Sequence, residues 1–425
     1  LALERHGSLS RREVLAGAIR LAEEGFTVSD LLADGLRLGA DRLQRHAGGR
    51  ALFFRADGMP LQAGERFVQK DLAATLRRIA ELGAAGFYEG RTADLLVAEM
   101  ARGGGLITHE DLRAYRAIER EPLRGSYRGH DVWSMGPPSS GGVHLLQILN
   151  ILEGYSLAEA GLNSARSIHL MAEAMRRAYA DRSLYPGDTD FVAVPLRGLL
   201  AKGYAEQLRA GIDPERATPS VQVRPGNPLP YESDDTTHFS IVDRFGNAVS
   251  NTYTINFSYG SHIVVEGAGF LLNNEMDDFS AKTGAANAYG LIGSDANRIE
   301  PGKRMLSSMA PTIVRKDGRN FLVTGSAGGP RIITTTLQVI LNVIDHGLNI
   351  QSAVNEPRVH HQWLPDEIRI EQGISPDTVT RLEQMGHKVV RQAAMGAIQS
   401  VLIDGQGVMH GAADPRRSTS SAQGF

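Results

Sequence analysis

A proline-rich segment divides the chain into two parts of different character, and this division constrains the fold more than any other feature. Residues 223–235 read VRPGNPLPYESDD, with three prolines. They show no apolar periodicity and predict an extended, exposed connector. Before this segment, apolar spacing and capping signals indicate helices. After it, alternating apolar residues and turn signals indicate strands. The sequence therefore passes from a helix-rich half to a strand-rich half.

Individual elements can be predicted from caps and turns. Ser10-Arg-Arg-Glu13 is a capping box that predicts a helix ending at Gly25, with an apolar face of Val14, Leu15, Ala18, Leu21 and Ala22. Thr108 begins another helix by the same logic. Further helices are predicted near 71–82, 92–101, 144–153, 164–182 and 331–346. Three hairpins are predicted, with turns at 244–247 and 317–318 and a third hairpin over 401–411.

Composition excludes several classes of protein. The 45 basic and 48 acidic residues give a net charge of −3, which provides no electrostatic argument for nucleic acid or an anionic membrane as partner. Cysteine is absent, which excludes disulfides, cysteine zinc sites, Fe–S clusters and a thiol nucleophile. No apolar stretch is long enough for a membrane span, and the first residues, LALERHG, lack the apolar core of a signal peptide.

Common catalytic motifs are also missing. The sequence has no Walker A loop, no dinucleotide fingerprint, no HExxH and no GxSxG. The adjacent His360 and His361 lack metal-ligand spacing, and we interpret them as structural. The sequence therefore predicts neither a metal nor a cofactor.

The stretch DDTTHFS at 234–240 offers a different nucleophile. Thr236 sits where the connector meets a predicted strand. Cleavage between Asp235 and Thr236 would give Thr236 a free α-amine with a pKa of about 7.7–8.0, so that a sizeable fraction is neutral near neutral pH. That amine can deprotonate the hydroxyl of its own residue, and no histidine is needed.

The predicted hairpin brings polar partners to this threonine. A turn centred on Phe245 pairs residues whose numbers sum to about 490, so that Thr236 faces Thr254 and Asn256 lies just beyond. Two further clusters follow in the chain: the acidic run 273–278, with carboxylates three residues apart, and the serine pair 307–308. Consecutive glycines at 328–329, just before a helix, suit an oxyanion hole.

Taken together, these stretches resemble the gamma-glutamyltransferase (gamma-glutamyltranspeptidase) family. The resemblance extends over essentially the whole chain. Its most specific blocks are TTHFSIVDRFGNAVSNTYTIN, GFLLNNEMDDFSA, KRMLSSMAPTIV, TGSAGGPRIITT and NEPRVHHQWLPDE. Several such blocks in the same order are far more specific than any single motif.

The resemblance implies a precursor that cuts itself between Asp235 and Thr236. Residues 1–235 would be a large-subunit portion and residues 236–425 the small subunit, and the two would form one intertwined core as a heterodimer. The implied fold is the α+β N-terminal-nucleophile hydrolase sandwich, with two central sheets between helix layers (αββα).

The resemblance also implies catalytic roles. Thr236 matches the nucleophile, which attacks a gamma-glutamyl amide and forms an acyl-enzyme. Thr254 matches the threonine whose hydroxyl contacts that nucleophile and assists maturation and catalysis. Gly328 and Gly329 match the glycines of the oxyanion hole.

Substrate contacts follow in the same way. Asn256, Glu275 and Asp278 match residues that hold the α-ammonium of the substrate, and the family uses either Glu or Gln at the position of Glu275. Ser307 and Ser308 match donors to the substrate α-carboxylate.

The segment 282–293 matches a lid loop, with Tyr289 as its gating aromatic. The implied substrates are glutathione and other gamma-glutamyl compounds, with water, amino acids or dipeptides as acceptors. The implied location of the full-length protein is periplasmic or secreted.

The resemblance begins inside the large subunit of the family. The family's preceding stretch supplies core strands and an arginine for the α-carboxylate, and no position here inherits that arginine. Without those strands, exposed sheet edges and apolar faces are expected. Three alternatives stay open: a glutaryl (cephalosporin-type) acylase, a poly-gamma-glutamate-processing relative, and an inactive truncated fragment.

Overall fold

The structure is a computed structural model that describes residues 1–226, 237–282 and 284–425. The described residues fall into two compact units. Unit 1 comprises Leu1–Glu119 and Phe257–Asn274, and unit 2 comprises Arg120–Asn256 and Glu275–Phe425. Each unit is therefore assembled from two separate stretches of the chain.

Unit 1 is helical, with one short pair of strands. Its helices are α1 (Ala2–His6), α2 (Arg11–Glu24), α3 (Asp30–Leu43), α4 (Ala47–Phe53), α5 (Lys70–Leu82), α6 (Ala85–Tyr88), α7 (Gly90–Gly103) and α8 (His109–Ala114), and its strands are β1 (Phe26–Thr27) and β2 (Arg66–Phe67). The capping boxes at Ser10 and Thr108 are both present, as predicted. The predicted apolar face of α2 is only partly covered: Ala22 is buried and Leu15 half-buried, whereas Val14, Ala18 and Leu21 are exposed.

The stretch 257–274 forms part of the core of unit 1. Val264 packs in one apolar cluster, with residues such as Leu36 and Phe67. Val265 and Ala268 pack in a second cluster. The Thr75 hydroxyl of α5 also donates a hydrogen bond of 2.8 Å to the Ala268 carbonyl. These contacts fasten the stretch to the helices that precede residue 120.

Unit 2 contains most of the strands. Its helices are α9 (Gly141–Leu152), α10 (Leu157–Ala160), α11 (Ala165–Arg182), α12 (Leu196–Leu199), α13 (Lys202–Ala210), α14 (Arg331–Ile344), α15 (Ile350–Asn355) and α16 (Pro376–Gln384). Its strands are β3 (Leu123–Tyr127), β4 (His130–Ser134), β5 (Thr237–Val242), β6 (Ala248–Tyr253), β7 (Thr312–Lys316), β8 (Arg319–Ala327), β9 (Val359–His360), β10 (Ile368–Ile370), β11 (Val389–Arg391), β12 (Ala397–Ile403) and β13 (Met409–Ala413). The predicted helices near 144–153, 164–182 and 331–346 and all three predicted hairpins are confirmed.

The described part of unit 2 contains three sheets. The sheet with the shortest strands has the order β11-β10-β9, and the other two are stacked with helices. The main sheet has six strands in the order β13-β12-β8-β7-β4-β3, and β5 and β6 form a separate hairpin that packs on β8 and β12. Leu322 of β8 lies in the apolar core with α9, α11 and α14. A side chain on Gly325, also in β8, would meet the His238 ring of the hairpin. One side of β8 thus packs against a helix layer and the other side against a second sheet, as in a sandwich fold.

The β5–β6 hairpin is polar towards the main sheet and apolar on its other side. The Ser240 and Ser250 hydroxyls donate to main-sheet carbonyls over 3.0 and 2.9 Å. The opposite side carries exposed apolar residues: Phe239, Ile241, Val249 and Tyr253. Because strand side chains alternate, one hairpin carries both a hydrogen-bonded face and an exposed apolar face.

Buried histidines make the stability of this fold depend on pH. Burial lowers the pKa of four histidines to about 3 and that of a fifth to about 4: His144, His238, His360 and His387, and then His361. In the unfolded chain these groups titrate near 6.5, so the unfolded state takes up protons first as the pH falls. Their contribution to stability is present above pH 6.5 and is lost progressively down to about pH 3.

We therefore expect the free energy of unfolding to fall by several kcal/mol between pH 7 and pH 5, since each histidine contributes up to about 1.4 kcal/mol per pH unit in this window. Asp181 acts on the free energy of unfolding in the opposite direction. Burial raises its pKa to about 6, so the folded state takes up this proton first as the pH falls. Denaturant unfolding at pH 7, 6 and 5 measures the effect. His387→Gln should reduce the slope, whereas the same change at the exposed His6 should not. A flat pH profile would contradict the prediction.

Candidate active site

The predicted cleavage bond lies outside the described residues. Asp235 and Thr236 both belong to this part of the chain, and the described strand β5 begins at Thr237. The hairpin register is described up to that point: Thr237 pairs with Tyr253 and His238 with Thr252. Both pairs sum to 490, so the predicted register is confirmed. The predicted pairing of Thr236 with Thr254 is the next step beyond it and stays a prediction.

Thr254, Asn256 and Tyr289 are joined by hydrogen bonds. The Asn256 backbone N–H donates to the Thr254 hydroxyl over 2.7 Å. The Tyr289 hydroxyl donates to the Asn256 side-chain carbonyl oxygen over 3.3 Å. Asn256 is buried and has a positive φ of 68°, which asparagine tolerates better than most residues. The local backbone therefore turns sharply just where β6 ends and the candidate site begins.

Within the predicted lid segment, residues 287–291 form a compact turn around Asn287. The Asn287 backbone N–H donates to the Leu291 carbonyl over 2.9 Å, and the side chain of Asn287 accepts from the backbone N–H of Tyr289 over 3.0 Å. The Gln362 amide donates to the Tyr289 carbonyl over 3.2 Å. These bonds hold Tyr289 at the tip of the turn, with its hydroxyl on Asn256.

Glu275 and Asp278 begin and end a single 3₁₀ turn, Glu275–Asp278. Residues three apart lie on the same side of such a turn. Both side chains are buried, at 7% and 2% exposed. The Asn297 amide donates to the Asp278 carbonyl over 2.6 Å and fixes the end of the turn. Two buried carboxylates on one side of a turn suit a cationic ligand, because buried charge is stabilised by an opposite charge.

Ser307 and Ser308 lie in a loop that is tied to the start of α9. The Ser307 carbonyl accepts hydrogen bonds of 3.0 Å from the hydroxyls of both Ser139 and Ser140. The Ser308 hydroxyl accepts a bond of 3.2 Å from Arg182, and both side chains are buried. These bonds position the serine pair, and a serine hydroxyl can donate to a carboxylate.

Gly328 and Gly329 connect the end of β8 to the start of α14. Both have positive φ, 132° and 64°. A Cβ atom on Gly328 would lie 2.7 Å from the Cα of Gly396, so the backbones approach more closely than any side chain allows. Glycine is thus required here, and the two peptides lie at a helix N-terminus, where an anion is favoured.

Sequence reasoning missed three residues that support the serine pair: Ser139, Ser140 and Arg182. The two serines belong to the stretch PPSSGG at 137–142, which contains none of the predicted site residues. Arg182 lies at the end of a predicted helix, where periodicity gives no sign of its partner. Contacts between residues more than a hundred positions apart leave no local pattern.

A separate buried group of side chains has the spacing of metal ligands. Candidate ligand atoms of His169, Glu173 and His387 all lie within 4.8 Å of one another. His169 Nε2 lies 2.7 Å from the Asp213 carbonyl oxygen, which only accepts, so Nε2 carries the proton. His169 Nδ1 therefore accepts from His387 Nε2 over 2.8 Å. Glu173 is paired with Arg177. We interpret the group as a hydrogen-bond network.

Within the described ranges, no helix combines the length and the apolar character needed to cross a membrane.

Comparisons with known proteins show the family to which the chain is similar. The family model for gamma-glutamyltranspeptidase matches residues 1–424. A glutathione hydrolase proenzyme of Escherichia coli (strain K12) is 52% identical over all of this chain and 73% of its own length. An acylase ACY 1 proenzyme of Pseudomonas sp. (strain SE83) is 41% identical over 97% of this chain and 71% of its own length.

The fold agrees as well. The crystal structure of cephalosporin acylase from Bacillus halodurans superposes with a TM-score of 0.87 and 29% identity, and the match covers 100% of this chain and 76% of that one. The predicted α+β N-terminal-nucleophile hydrolase sandwich is thereby confirmed. Since a family model covers almost every residue and a relative is identical at half of all positions, this chain belongs to the gamma-glutamyltranspeptidase family.

Proposed function

We propose that this chain is a self-processing gamma-glutamyl hydrolase and transferase that acts on glutathione and related gamma-glutamyl compounds. The observation that carries the proposal is the 52% identity to a glutathione hydrolase proenzyme over the whole chain. The chemistry of the described site supports it. Two buried carboxylates suit the α-ammonium of a gamma-glutamyl group, and a buried serine pair suits its α-carboxylate.

The reaction uses Thr236 as nucleophile. Its hydroxyl oxygen attacks the gamma-carbonyl carbon while its own α-amine takes the hydroxyl proton. The negative charge on the former carbonyl oxygen is stabilised by the backbone N–H groups of Gly328 and Gly329. When the C–N bond breaks, the α-ammonium returns the proton to the departing amine. A gamma-glutamyl ester on Thr236 remains.

The second half of the reaction releases this ester. Water attacks it to give glutamate, or the amine of an amino acid or dipeptide attacks it to give a new gamma-glutamyl amide. Thr254 assists both maturation and catalysis beside the nucleophile. The hydrogen bond from Tyr289 to Asn256 supports a lid that closes over the gamma-glutamyl group and favours the amine over water.

Maturation by cleavage between Asp235 and Thr236 gives a heterodimer of 1–235 and 236–425. The composition of the two units supports an intertwined pair, because each unit contains residues from both sides of the predicted bond. The family resemblance supports a periplasmic or secreted location for the full-length protein.

A glutaryl acylase is the second candidate, favoured by the acylase relatives at 41% and 29% identity. A glutaryl group keeps the carboxylate of the gamma-glutamyl group but lacks its ammonium. Turnover of gamma-glutamyl anilide by the wild type in preference to glutaryl anilide is the expected result. The reverse preference would favour the acylase.

Asp278→Asn tests the ammonium site directly. We expect kcat/KM for gamma-glutamyl anilide to fall about 10- to 100-fold, the loss of a charge-assisted hydrogen bond of about 1.5–3 kcal/mol. Turnover of glutaryl anilide should change little. Glu275→Gln should have a milder effect, because the amide oxygen still accepts. The neighbouring Asp277→Asn is the matched control. Equal losses on both anilides would contradict the assignment.

A further inference from the structure

Arg182 ends α11 with its side chain buried against the serine pair. It is 1% exposed, and its Nη2 lies 3.2 Å from Oγ of Ser308, which is itself fully buried. A guanidinium carries only N–H donors, so Ser308 must be the acceptor in this bond. The hydrogen of the Ser308 hydroxyl therefore points away from Arg182.

That direction has a chemical consequence. A serine hydroxyl has one hydrogen, and an oxygen that accepts from a cation directs this hydrogen towards another acceptor. Hydrogen bonds in such a chain strengthen one another, particularly away from water. The best acceptor for a polarised hydroxyl is an anionic oxygen. Ser308 is thus arranged to bind a carboxylate rather than an ammonium.

We propose that Arg182 is a positioning residue for recognition of the substrate carboxylate, acting through Ser308. The inference rests on the proposed function, since it concerns the α-carboxylate of the gamma-glutamyl group. It differs from the arginine that the family resemblance implies, which binds the carboxylate directly.

Three anilides separate this role from a structural one. Gamma-glutamyl and glutaryl anilide both carry the carboxylate, whereas 4-aminobutyryl anilide carries the ammonium alone. For Arg182→Lys we expect KM to rise about tenfold or more on the first two, with kcat within about threefold. On 4-aminobutyryl anilide, kcat/KM should stay within about twofold of the wild type. A uniform loss on all three, or no loss on any, would overturn the inference.

Two further variants make the test specific. Arg177→Lys is the matched control, because Arg177 is also buried on α11 but binds Glu173 and backbone carbonyls instead of the serine pair. In a Ser308→Ala background, Arg182→Lys should have little further effect on KM, since the two residues act in series. Independent, additive losses would overturn the inference.

The wild type tests the proposed function separately from the role of Arg182. A wild type that does not turn over gamma-glutamyl anilide refutes that function, whatever Arg182 does. A wild type that prefers gamma-glutamyl over 4-aminobutyryl anilide, with unchanged Arg182→Lys kinetics, refutes only the inference. If Arg182→Lys does not mature, Ser308→Ala carries the test: its loss must be confined to the two carboxylate substrates, and a uniform loss overturns the role.

Discussion

Thr236→Ala is expected to abolish both chain cleavage and hydrolysis of gamma-glutamyl anilide. The proposed mechanism gives this hydroxyl two tasks, because it attacks the preceding peptide bond during maturation and the substrate afterwards. Intact mass after incubation at mildly alkaline pH measures the first task. The wild type should give two fragments, the smaller beginning at Thr236, and the variant a single species of 45.9 kDa. Thr236→Ser should retain part of both functions, because a hydroxyl remains.

Thr237→Ala is the control, since it removes the adjacent hydroxyl. Cleavage that stops in this variant but persists in Thr236→Ala would move the nucleophile by one residue. A wild type that stays uncut, melts cooperatively and has no activity would support the inactive-fragment alternative instead.

Gly328→Ala is expected to lower kcat by about 10²–10³, the effect of losing one oxyanion donor. The added methyl group would lie 2.7 Å from the Cα of Gly396, and neither backbone can move aside as a side chain would. The φ of 132° adds strain for any residue with a Cβ. The peptide must therefore shift, and the N–H groups of the glycine pair shift with it.

Gly318→Ala is the matched control for this change. Gly318 also has a positive φ, of 75°, but it lies in the β7–β8 turn, and a Cβ atom there would meet nothing within 4 Å. It should lose about 1 kcal/mol of stability and keep its kcat within about twofold. Melting temperatures of both variants separate folding from catalysis. Similar kcat values for the two variants would contradict the role of Gly328.

Local signals predicted much of the fold. The capping boxes at Ser10 and Thr108 and the register of the β5–β6 hairpin could be found from sequence because each depends on residues a few positions apart. The exposure of Val14 and Leu21 on α2, beside the buried Ala22, could not be predicted, because burial depends on which elements pack nearby. Periodicity shows that a helix has an apolar face but not whether that face is covered.

The candidate site divides in the same way. The family blocks indicated the residues that would touch substrate, since each lies in a distinctive short motif. The residues that hold Ser307 and Ser308 in place were not found, because Arg182 reaches Ser308 across 126 positions of sequence. Supporting contacts of this kind arise from tertiary packing and become visible only in three dimensions.

The placement of 257–274 among the helices of unit 1 bears on how the mature halves would separate. The proposed cleavage before Thr236 would leave this stretch on the C-terminal product, whereas residues 1–119, which share its apolar clusters, would stay on the N-terminal product. Simple dilution would therefore not dissociate the two chains, although it dissociates subunits that meet only at a surface. The two chains would dissociate only when Val264, Val265 and Ala268 leave the apolar clusters of unit 1. Dissociation and unfolding of this unit would then be a single step with a single barrier.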